Sequence, residues 1–455
     1  MSEKDITKKQ KNQSRTKAKP KTKGWAGKEL YVESIIVDSK PEFLAVNTTT
    51  GKKFIMHRLC THEGTFRPLE RHECGYPPYE FSQEEIDRLC SREISKEEVI
   101  EDTLEMVQRY NAIPYRDQTL IAGDIVLSYC LEWVSTVHFP YVVGETESGK
   151  SSVIILAGAI AYRCMNAGQM SIANIYNFLG TDEEGAGNIC EDEAEKMEHD
   201  SEKIRIYKNS YSKGYVIPKI IMTNRDKKQV YYKTFCIKFL AGEGIPQDKG
   251  FRERLVVIYM IGGAPKDNIK RPKDPEWKKE HIRSVRNKLL IWKLQNIGKG
   301  FERIDSGLAG RDQELFEDLL SLFHATKYEK DAKDTIDYYA EQRHQAIRDS
   351  LEATIFRILK PHLDEEKEID FRRMWKIITT SDELPGEEYS EKTFYSDQFG
   401  KITQDCLAKI LLFKFHAKRR KRYETIEGKR RKITSYVFDE EKIEILAQKY
   451  RIYDP

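Results

Sequence analysis

The fold of this chain is decided by the stretch HFPYVVGETESGKSS, residues 138–152. Residues 144–151 match the phosphate-binding pattern G-x-x-x-x-G-K-[ST] at every fixed position. A short apolar strand leads into the pattern, and an apolar helix from Lys150 to Cys164 is predicted to follow it. The order of strand, loop and helix predicts an α/β fold that holds a phosphate group at the helix N-terminus.

The predicted phosphate loop comprises Gly144, Glu145, Thr146, Glu147, Ser148, Gly149, Lys150, Ser151 and Ser152. The glycines let backbone N–H groups converge on a phosphate, and Lys150 can reach the outer phosphate oxygens. The hydroxyl of Ser151 is of the type that binds Mg²⁺. ATP and Mg²⁺ are therefore the expected cofactors, and an ordinary glycine turn is the alternative.

A second acidic motif, NICEDE, spans residues 188–193. Nucleotide hydrolysis needs one carboxylate near Mg²⁺ and one that orients water, and Asp192 and Glu193 are the candidates. The approach to this motif is a poor strand, because Glu191 stands where an apolar residue is expected. The alternative interpretation is the acidic start of a helix.

Composition excludes several classes of protein. The chain has 455 residues, of which 39% are hydrophobic and 33% are charged. Its longest apolar run falls short of the roughly 18 residues that a membrane-spanning helix needs. The N-terminus has no apolar signal segment, so we expect a cytoplasmic or nucleoid protein with eight reduced cysteines.

Positive charge is concentrated in two segments. Residues 1–28 hold ten basic and two acidic residues, and residues 414–432 hold the same numbers, so each has a net charge of +8. The chain as a whole carries +3, which leaves −13 for the remainder. This distribution favours a polyanionic partner that is contacted at particular places, with nucleic acid as the first candidate.

Changes of pattern predict five regions. Residues 1–28 are expected to be a disordered basic tail, and residues 29–117 a small β/α domain that begins with a β-meander. Residues 118–275 alternate strand and helix periods and form the predicted α/β core. A helical connector is expected over 276–365, and a helical segment with a final hairpin over 366–455.

Four residues near the N-terminus have metal-binding side chains, namely Cys60, His62, His72 and Cys74. Two histidines and two cysteines could bind Zn²⁺ tetrahedrally. The C-x-H spacing is tighter than the common C-x₂-C knuckle, which favours the alternative, a polar loop with free thiols.

Together, the segments HFPYVVGETESGKSS, GNICEDEAEKM and DKGFRERLVVIYM resemble the ATPase core of the AAA+ class. The resemblance is to superfamily III and minichromosome-maintenance-like helicases, and it covers about residues 118–330. Such ATPases often carry a winged-helix domain, to which residues 366–455 are similar. The resemblance implies a P-loop NTPase core, a ring that is most often hexameric, and DNA as the partner.

The resemblance also assigns roles to individual residues. Arg254, directly before an apolar strand, matches the arginine finger that reaches the neighbouring subunit, with Arg252 as the nearby alternative. Arg311 is the candidate second sensor, and Glu243 stands where the family usually has a sensor asparagine. A surface salt bridge is the alternative for each arginine. Residues 216–235 match the position of a hairpin that can project towards DNA.

The C-terminal segment points to nucleic acid without the resemblance. Residues 401–415 predict an amphipathic helix that could dock on DNA, with Ile402, Cys406, Leu407, Ile410 and Leu411 on one stripe. The candidate DNA-binding residues flank a hairpin turn at residues 427–428 and are Lys418, Arg419, Arg420, Lys421, Arg422, Lys429, Arg430, Arg431 and Lys432. The alternative is a solvated charged hairpin.

These patterns support three hypotheses. The first is an oligomeric, Mg²⁺-dependent ATPase that acts on DNA, such as a replicative helicase or initiator. The second is an ATP-gated DNA-binding switch with little turnover, which Glu191 and Glu243 favour. The third is a small-molecule kinase, against which the basic hairpin and the chain length argue.

Overall fold

The computed structural model describes residues 18–452, except for 63, 182–183, 195–196, 198–199, 224–225, 303 and 427–428. Two compact units divide the chain, the first ending at Ile336 and the second beginning at Asp337. None of the helices within the described ranges is long and apolar enough to span a bilayer.

The first unit begins with eight short strands: β1 (Lys19–Pro20), β2 (Lys23–Ala26), β3 (Leu30–Val37), β4 (Lys40–Asn47), β5 (Lys53–Met56), β6 (Leu59–Thr61), β7 (Gly64–Arg67) and β8 (Glu80–Phe81). One sheet has the order β2-β3-β4-β5, with β8 parallel beside β3, and a second has the order β1-β7-β6. Strands β3 to β5 pair antiparallel, which confirms the predicted meander.

The prediction that residues 1–28 are disordered is wrong for residues 19–26, which contain two strands. Residues 1–17 lie outside the described chain, but β1 and β2 form between Lys19 and Ala26. Lys23 is buried and donates to Glu132 Oε1 at 2.7 Å, and the Trp25 ring packs against Tyr31 with centroids 5.5 Å apart. These partners are distant in sequence, so local composition could not reveal them.

Three helices follow, α1 (Gln83–Cys90), α2 (Lys96–Tyr110) and α3 (Tyr115–Leu127). Ser82 is the N-cap of α1, because its Oγ accepts a hydrogen bond from the Glu85 backbone N–H at 3.1 Å. Such a cap satisfies one of the backbone donors that a helix start leaves unpaired.

The centre of the first unit alternates strands and helices. In chain order these are β9 (Phe139–Gly144), α4 (Lys150–Ile160), β10 (Cys164–Ala167), α5 (Ile172–Leu179), β11 (Asn188–Glu191), α6 (Ser201–Asn209), β12 (Val216–Thr223), β13 (Asp226–Lys233), β14 (Lys238–Gly242), α7 (Lys249–Arg252) and β15 (Leu255–Met260). Five strands form a parallel sheet in the order β10-β11-β14-β9-β15. The predicted α/β class is confirmed, and the carboxyl ends of all five strands share one edge.

The helix after the phosphate loop is shorter than predicted. It ends at Ile160, and Cys164 already belongs to β10. Arg163 turns the chain between them with a φ of +42°. The Arg163 side chain is buried and forms an ion pair with Glu33 of β3, so a contact distant in sequence fixes this turn.

Helices α8 (Pro275–Asn296), α9 (Gly310–Phe323) and α10 (Glu329–Arg348) come next, as the helical pattern predicts, and the boundary between the units falls within α10.

The second unit contains α11 (Leu351–Glu365), β16 (Glu368–Asp370), α12 (Phe371–Thr379), β17 (Gly386–Ser390), β18 (Thr393–Ser396), β19 (Gly400–Thr403), α13 (Gln404–Lys409), β20 (Lys418–Ile426), β21 (Lys429–Val437) and α14 (Glu440–Tyr450). One antiparallel sheet has the order β16-β21-β20. The predicted basic hairpin is confirmed as β20 and β21, and its turn at 427–428 lies outside the described residues.

Strands β17 to β19 were not predicted. They form an antiparallel meander, in which a Cβ at position 386 would lie 2.1 Å from the Tyr395 carbonyl oxygen, so Gly386 permits the close pairing. The helix predicted over residues 401–415 begins only at Gln404, because residues 400–403 form β19, and the predicted stripe residues Ile402, Leu407 and Leu411 are buried. This stripe therefore packs in the core of its own unit and is not available to dock on DNA.

Candidate functional site

Two glycines shape the loop between β9 and α4. Gly149 has a φ of +96°, in the left-handed region that disfavours other residues. At Gly144 a Cβ would lie 2.6 Å from the Met260 carbonyl oxygen and 2.7 Å from Ser148 Oγ. The loop can therefore wrap closely around the start of α4, where free backbone N–H groups attract an anion.

Polar side chains face this loop. Lys150 Nζ donates to the carbonyl oxygens of Gly144 at 2.5 Å and Glu145 at 2.7 Å. Ser148 Oγ is buried without a hydrogen-bond partner among the described residues. The Lys150 ammonium supplies a positive charge at the loop, as binding of an oxygen-rich anion requires, and the buried Ser148 hydroxyl beside Gly144 is left unsatisfied.

The two predicted motifs meet in space. Ser151 Oγ donates to Asp192 Oδ2 at 2.8 Å, although 41 residues separate them along the chain. Strand β11 does not neighbour β9, because β14 lies between them. Asp192 directly follows β11, and Ser151 lies in the first turn of α4, which begins after β9. Both residues are therefore at the edge of the sheet where the parallel strands end. A hydroxyl and a carboxylate oxygen are the donors that Mg²⁺ prefers.

Glu193 follows in an uncommon backbone conformation. Its φ is +55°, and its backbone N–H donates to Asp192 Oδ1 at 3.1 Å. A non-glycine residue in the left-handed region carries a conformational cost, and such residues concentrate at functional sites. The Glu193 side chain is exposed beside Asp192.

Glu191, the irregular residue of the acidic motif, has a structural explanation. Its side chain is 0% exposed. It forms an ion pair with buried Lys203, and it accepts hydrogen bonds from Tyr207 Oη at 2.7 Å and the Met170 backbone N–H at 2.9 Å. The strand that looked poor from its sequence is therefore a regular member of the sheet, with its carboxylate fully satisfied.

Replacing Glu191 with alanine is expected to lower the free energy of unfolding of the protein by about 3–5 kcal/mol, because it leaves the Lys203 charge buried without a partner. Urea unfolding measures the loss. Glu191→Gln combined with Lys203→Met removes both charges and should recover most of it. A loss below about 1 kcal/mol in the single variant would show that Lys203 reaches water.

Glu243 lies beside the loop, where the resemblance places a sensor. It directly follows β14, and its Oε1 accepts a hydrogen bond from Thr146 Oγ1 at 2.8 Å. An ionised carboxylate accepts hydrogen bonds but cannot donate them, whereas the side chain of asparagine can do both. Glu243 is thus in contact with the loop but is chemically unlike the usual sensor.

Arg254 lies at the opposite edge of the sheet. Leu255 pairs with Phe139 at the start of β9, while Met260 pairs with Gly144 at its end. At about 3.3 Å per residue the strand separates Arg254 from its own phosphate loop by roughly 17–20 Å. Arg254 therefore cannot act on a phosphate bound in its own loop.

Tyr211 holds two of the predicted arginines together. The guanidinium carbons of Arg254 and Arg311 lie 4.3 and 4.9 Å from its ring centroid. Burial and the neighbouring Arg311 lower the pKa of Arg254, whose Nε has no hydrogen-bond partner among the described residues. Arg311 pairs with Glu314, and Arg252 is exposed. No sequence signal marked Tyr211 as the residue that positions both arginines.

The β12–β13 hairpin matches the predicted hairpin of residues 216–235, and its tip at 224–225 lies outside the described residues. Its strands expose large apolar side chains, with Ile220 70% and Met222 67% exposed. Exposed apolar residues on a two-stranded ribbon are typical of a surface that contacts a partner.

The predicted zinc ligands do not assemble. Within the described ranges, no three His, Cys, Asp or Glu side chains come together in a group that could hold a metal ion. Cys60 lies on β6 with its sulfur 3.8 Å from Thr65 Oγ1, whereas Cys74 donates to the Glu70 carbonyl oxygen at 3.5 Å. His62 and His72 do not join them. Burial raises the pKa of Cys74, which disfavours the thiolate that zinc binds.

The basic hairpin has two unlike faces, because residues directly opposite on β20 and β21 share a face. One face carries the side chains of Arg419, Lys421, Tyr423, Arg430 and Lys432. Repulsion from Arg419 and Lys432 lowers the pKa of Lys421. The Arg430 guanidinium lies 4.8 Å from the Tyr423 ring centroid. Positive charge is therefore concentrated on this face, which we call the Tyr423 face.

The other face is partly neutralised. Arg420 and Arg422 lie 3.0 and 3.8 Å from the carboxylate of Glu368 on β16. Lys418 is exposed on the same face, and the side chains of Lys429 and Arg431 lie outside the described part of the chain. The nine predicted DNA-binding residues are thus not equivalent: among the side chains that the structure describes, Arg420 and Arg422 are neutralised by Glu368, whereas those of the Tyr423 face form no ion pair.

No family model matches the chain, and no curated protein matches it. Among solved structures, the apo structure of the C-terminal region of NrS-1 (305–718) aligns with 10% sequence identity and a TM-score of 0.33. The A form apo structure of the same region aligns with 12% identity and a TM-score of 0.32. Each alignment covers 90% of this chain and 96% of that chain.

Proposed function

We propose that this protein is an Mg²⁺-dependent ATPase that couples ATP hydrolysis to the binding and remodelling or unwinding of DNA. The observation that carries the proposal is the contact of 2.8 Å between Ser151 Oγ and Asp192 Oδ2 beside Lys150. A phosphate loop next to a strand-end carboxylate is the arrangement that nucleotide hydrolysis needs.

The residues of the loop fit a magnesium–nucleotide complex. The close turn at Gly144 and the left-handed Gly149 let the loop wrap around the start of α4, where backbone N–H groups can bind an anion. Ser151 and Asp192 would hold Mg²⁺, and Lys150 with the backbone N–H groups of the loop would bind the phosphates. When bound, Mg²⁺ neutralises charge on the phosphate oxygens.

Hydrolysis then depends on two further residues. Exposed Glu193 would accept a hydrogen bond from the attacking water and orient it, as a catalytic carboxylate does. Arg254 of one copy would stabilise the charge that develops on the phosphate bound in the loop of the neighbouring copy. This role favours a homo-oligomeric ring, and the resemblance to superfamily III and minichromosome-maintenance-like helicases favours six copies. The position of Arg311 beside Arg254 on Tyr211 favours a role for both in the same contact.

The second unit supports the DNA part of the proposal. Its helices α11, α12 and α13 and its basic hairpin are compatible with a winged-helix domain, to which the sequence is similar, with the meander of β17 to β19 inserted between α12 and α13. The hairpin would contact phosphates through the Tyr423 face and position the protein on DNA. The exposed β12–β13 ribbon is a second candidate contact.

The test is the rate of ATP hydrolysis by the purified chain, with and without single-stranded DNA. Steady turnover that DNA stimulates supports the proposal. Tight ATP binding with a negligible rate that DNA does not change would instead support an ATP-gated DNA-binding switch. Glu243 favours that second candidate, since a carboxylate beside Thr146 would repel a terminal phosphate.

The hairpin yields a prediction with a matched control. Replacing Lys421 and Lys432 with alanine should lower the slope of log K against log salt for DNA binding by about 2, because two phosphate contacts are lost. Replacing Arg420 and Arg422 removes the same charge from the neutralised face and should change the slope by less than half as much. Fluorescence anisotropy over a salt series measures both, and equal losses would contradict the assignment of the face.

A further inference from the structure

A second basic site lies in the first unit and shares no residue with the phosphate loop. It is a cleft of about 680 Å³ between residues 77–80 and the beginning of α8. Its cationic lining consists of Lys270, Arg271, Lys278, Lys279, Arg283 and Arg286. Glu80 is the one carboxylate among the described lining residues.

Four cations of the cleft form no ion pair among the described residues. Among the residues that the structure describes, Lys270, Arg271, Lys279 and Arg283 have no carboxylate within ion-pair distance. Glu80 does not neutralise them, because it pairs with Arg71 at 2.5 Å. Four like charges held around one cleft repel one another, and a bound anion would relieve that repulsion.

Buried contacts build the walls. Arg286 donates to the carbonyl oxygens of Pro77 and Pro78 at 2.5 and 3.1 Å, and its guanidinium lies 4.6 Å from the centroid of the Tyr79 ring. Lys278 Nζ donates to the Ile269 carbonyl oxygen at 2.5 Å. These two cations fix the walls, so Lys279 and Arg283, one helical turn apart, remain free to face a ligand.

Part of the cleft lining is apolar. Pro77, Pro78, Pro272, Pro275 and Ile282 contribute to its lining. A ligand that fits must therefore combine several negative charges with flat apolar surface. A strand of nucleic acid has both, because its phosphates alternate with bases whose faces can lie against apolar side chains. An acidic peptide offers the charge without the flat apolar faces.

The cleft also reaches the phosphate-loop helix. Ala159, near the C-terminal end of α4, is part of the lining, and α4 begins at Lys150. The two ends of this helix lie roughly 15 Å apart at 1.5 Å per residue. A ligand in the cleft would thus contact the same rigid element that carries Lys150 and Ser151.

We propose that this cleft binds a single strand of nucleic acid through its phosphates, in addition to the contact made by the basic hairpin. The inference rests on the proposed function for the identity of the ligand as nucleic acid. The site itself is defined by its charge and lining.

The experiment uses the full chain and a fluorescein-labelled oligothymidylate, with affinity measured over a salt series. Lys279→Glu with Arg283→Glu should weaken binding at least tenfold and lower the salt slope by about 2. Lys330→Glu with Lys333→Glu, which reverses two exposed charges on α10 of the same unit, should change affinity less than twofold. Lys270→Glu with Arg271→Glu changes two other cations of the cleft lining, which precede α8. This second pair is used if the first pair of substitutions prevents the protein from folding.

Three results would overturn the proposal. The first is an unchanged affinity for the oligothymidylate in both cleft variants, and the second is an equal loss of affinity in the α10 control. The third is that polyglutamate displaces the labelled oligothymidylate as well as unlabelled oligothymidylate does. ATP hydrolysis is measured in parallel without DNA. If the unmodified chain does not hydrolyse ATP but the cleft variants still lose the oligothymidylate selectively, the proposed ATPase function fails while the cleft proposal stands. If hydrolysis is normal and the cleft variants bind like the unmodified chain, only the cleft proposal fails.

Discussion

Lys150→Ala is expected to reduce kcat/KM for ATP by at least about 10²–10³-fold, because it removes a preorganised positive charge from the phosphate site. In the structure Lys150 Nζ lies against the carbonyl oxygens of Gly144 and Glu145, at the mouth of the loop. Nucleotide affinity should fall together with turnover, since the same charge binds the phosphates before and during the reaction.

Glu193→Gln separates binding from hydrolysis. The amide keeps the size of the side chain but cannot take up a proton, so kcat should fall about 10²–10⁴-fold while ATP still binds. Phosphate release measures turnover, and a fluorescent ATP analogue measures affinity. Lys330→Ala, at an exposed lysine of α10, serves as the control. Unchanged hydrolysis in both Lys150→Ala and Glu193→Gln would exclude this loop as the active site.

Arg254→Ala is expected to reduce the rate of hydrolysis by about 10³-fold or more, as the loss of an arginine finger does, while each chain still binds ATP. The physical reason is distance, since Arg254 lies at the sheet edge opposite its own loop. Lys330→Ala, which removes one positive charge at an exposed position of α10, is the control, and Arg252→Ala tests the nearby alternative.

Mixing variants tests whether Arg254 acts between copies. Arg254→Ala chains retain an intact loop, and Lys150→Ala chains retain the arginine, so mixed assemblies contain some complete sites. Activity should reappear in the mixture although each variant alone is inactive. A mixture that stays inactive, with both variants folded and assembled, would assign Arg254 to a structural role with Tyr211.

Features governed by neighbours in the sequence were predictable. The phosphate loop, the meander of β3 to β5 and the basic hairpin all depend on residues within about twenty positions of one another. Turn chemistry, capping and the alternation of side chains act over that range, so the pattern alone specifies them.

Other features depended on contacts that no local pattern encodes. Glu191 looked unfit for a strand until Lys203 and Tyr207 supplied its partners. The zinc ligands looked sufficient in number but lie on different elements. Nothing in the sequence indicated that Arg254 and Arg311 share Tyr211.

The sequence by itself determined the class of the fold and the chemistry available at residues 144–151, because a phosphate loop is a local backbone structure with fixed residue requirements. Only the tertiary structure decided that Asp192 meets Ser151, since β14 inserts between their strands. It also decided which basic residues of the hairpin remain free. A β-strand places successive side chains on opposite faces, and Glu368 of a different strand neutralises one face alone.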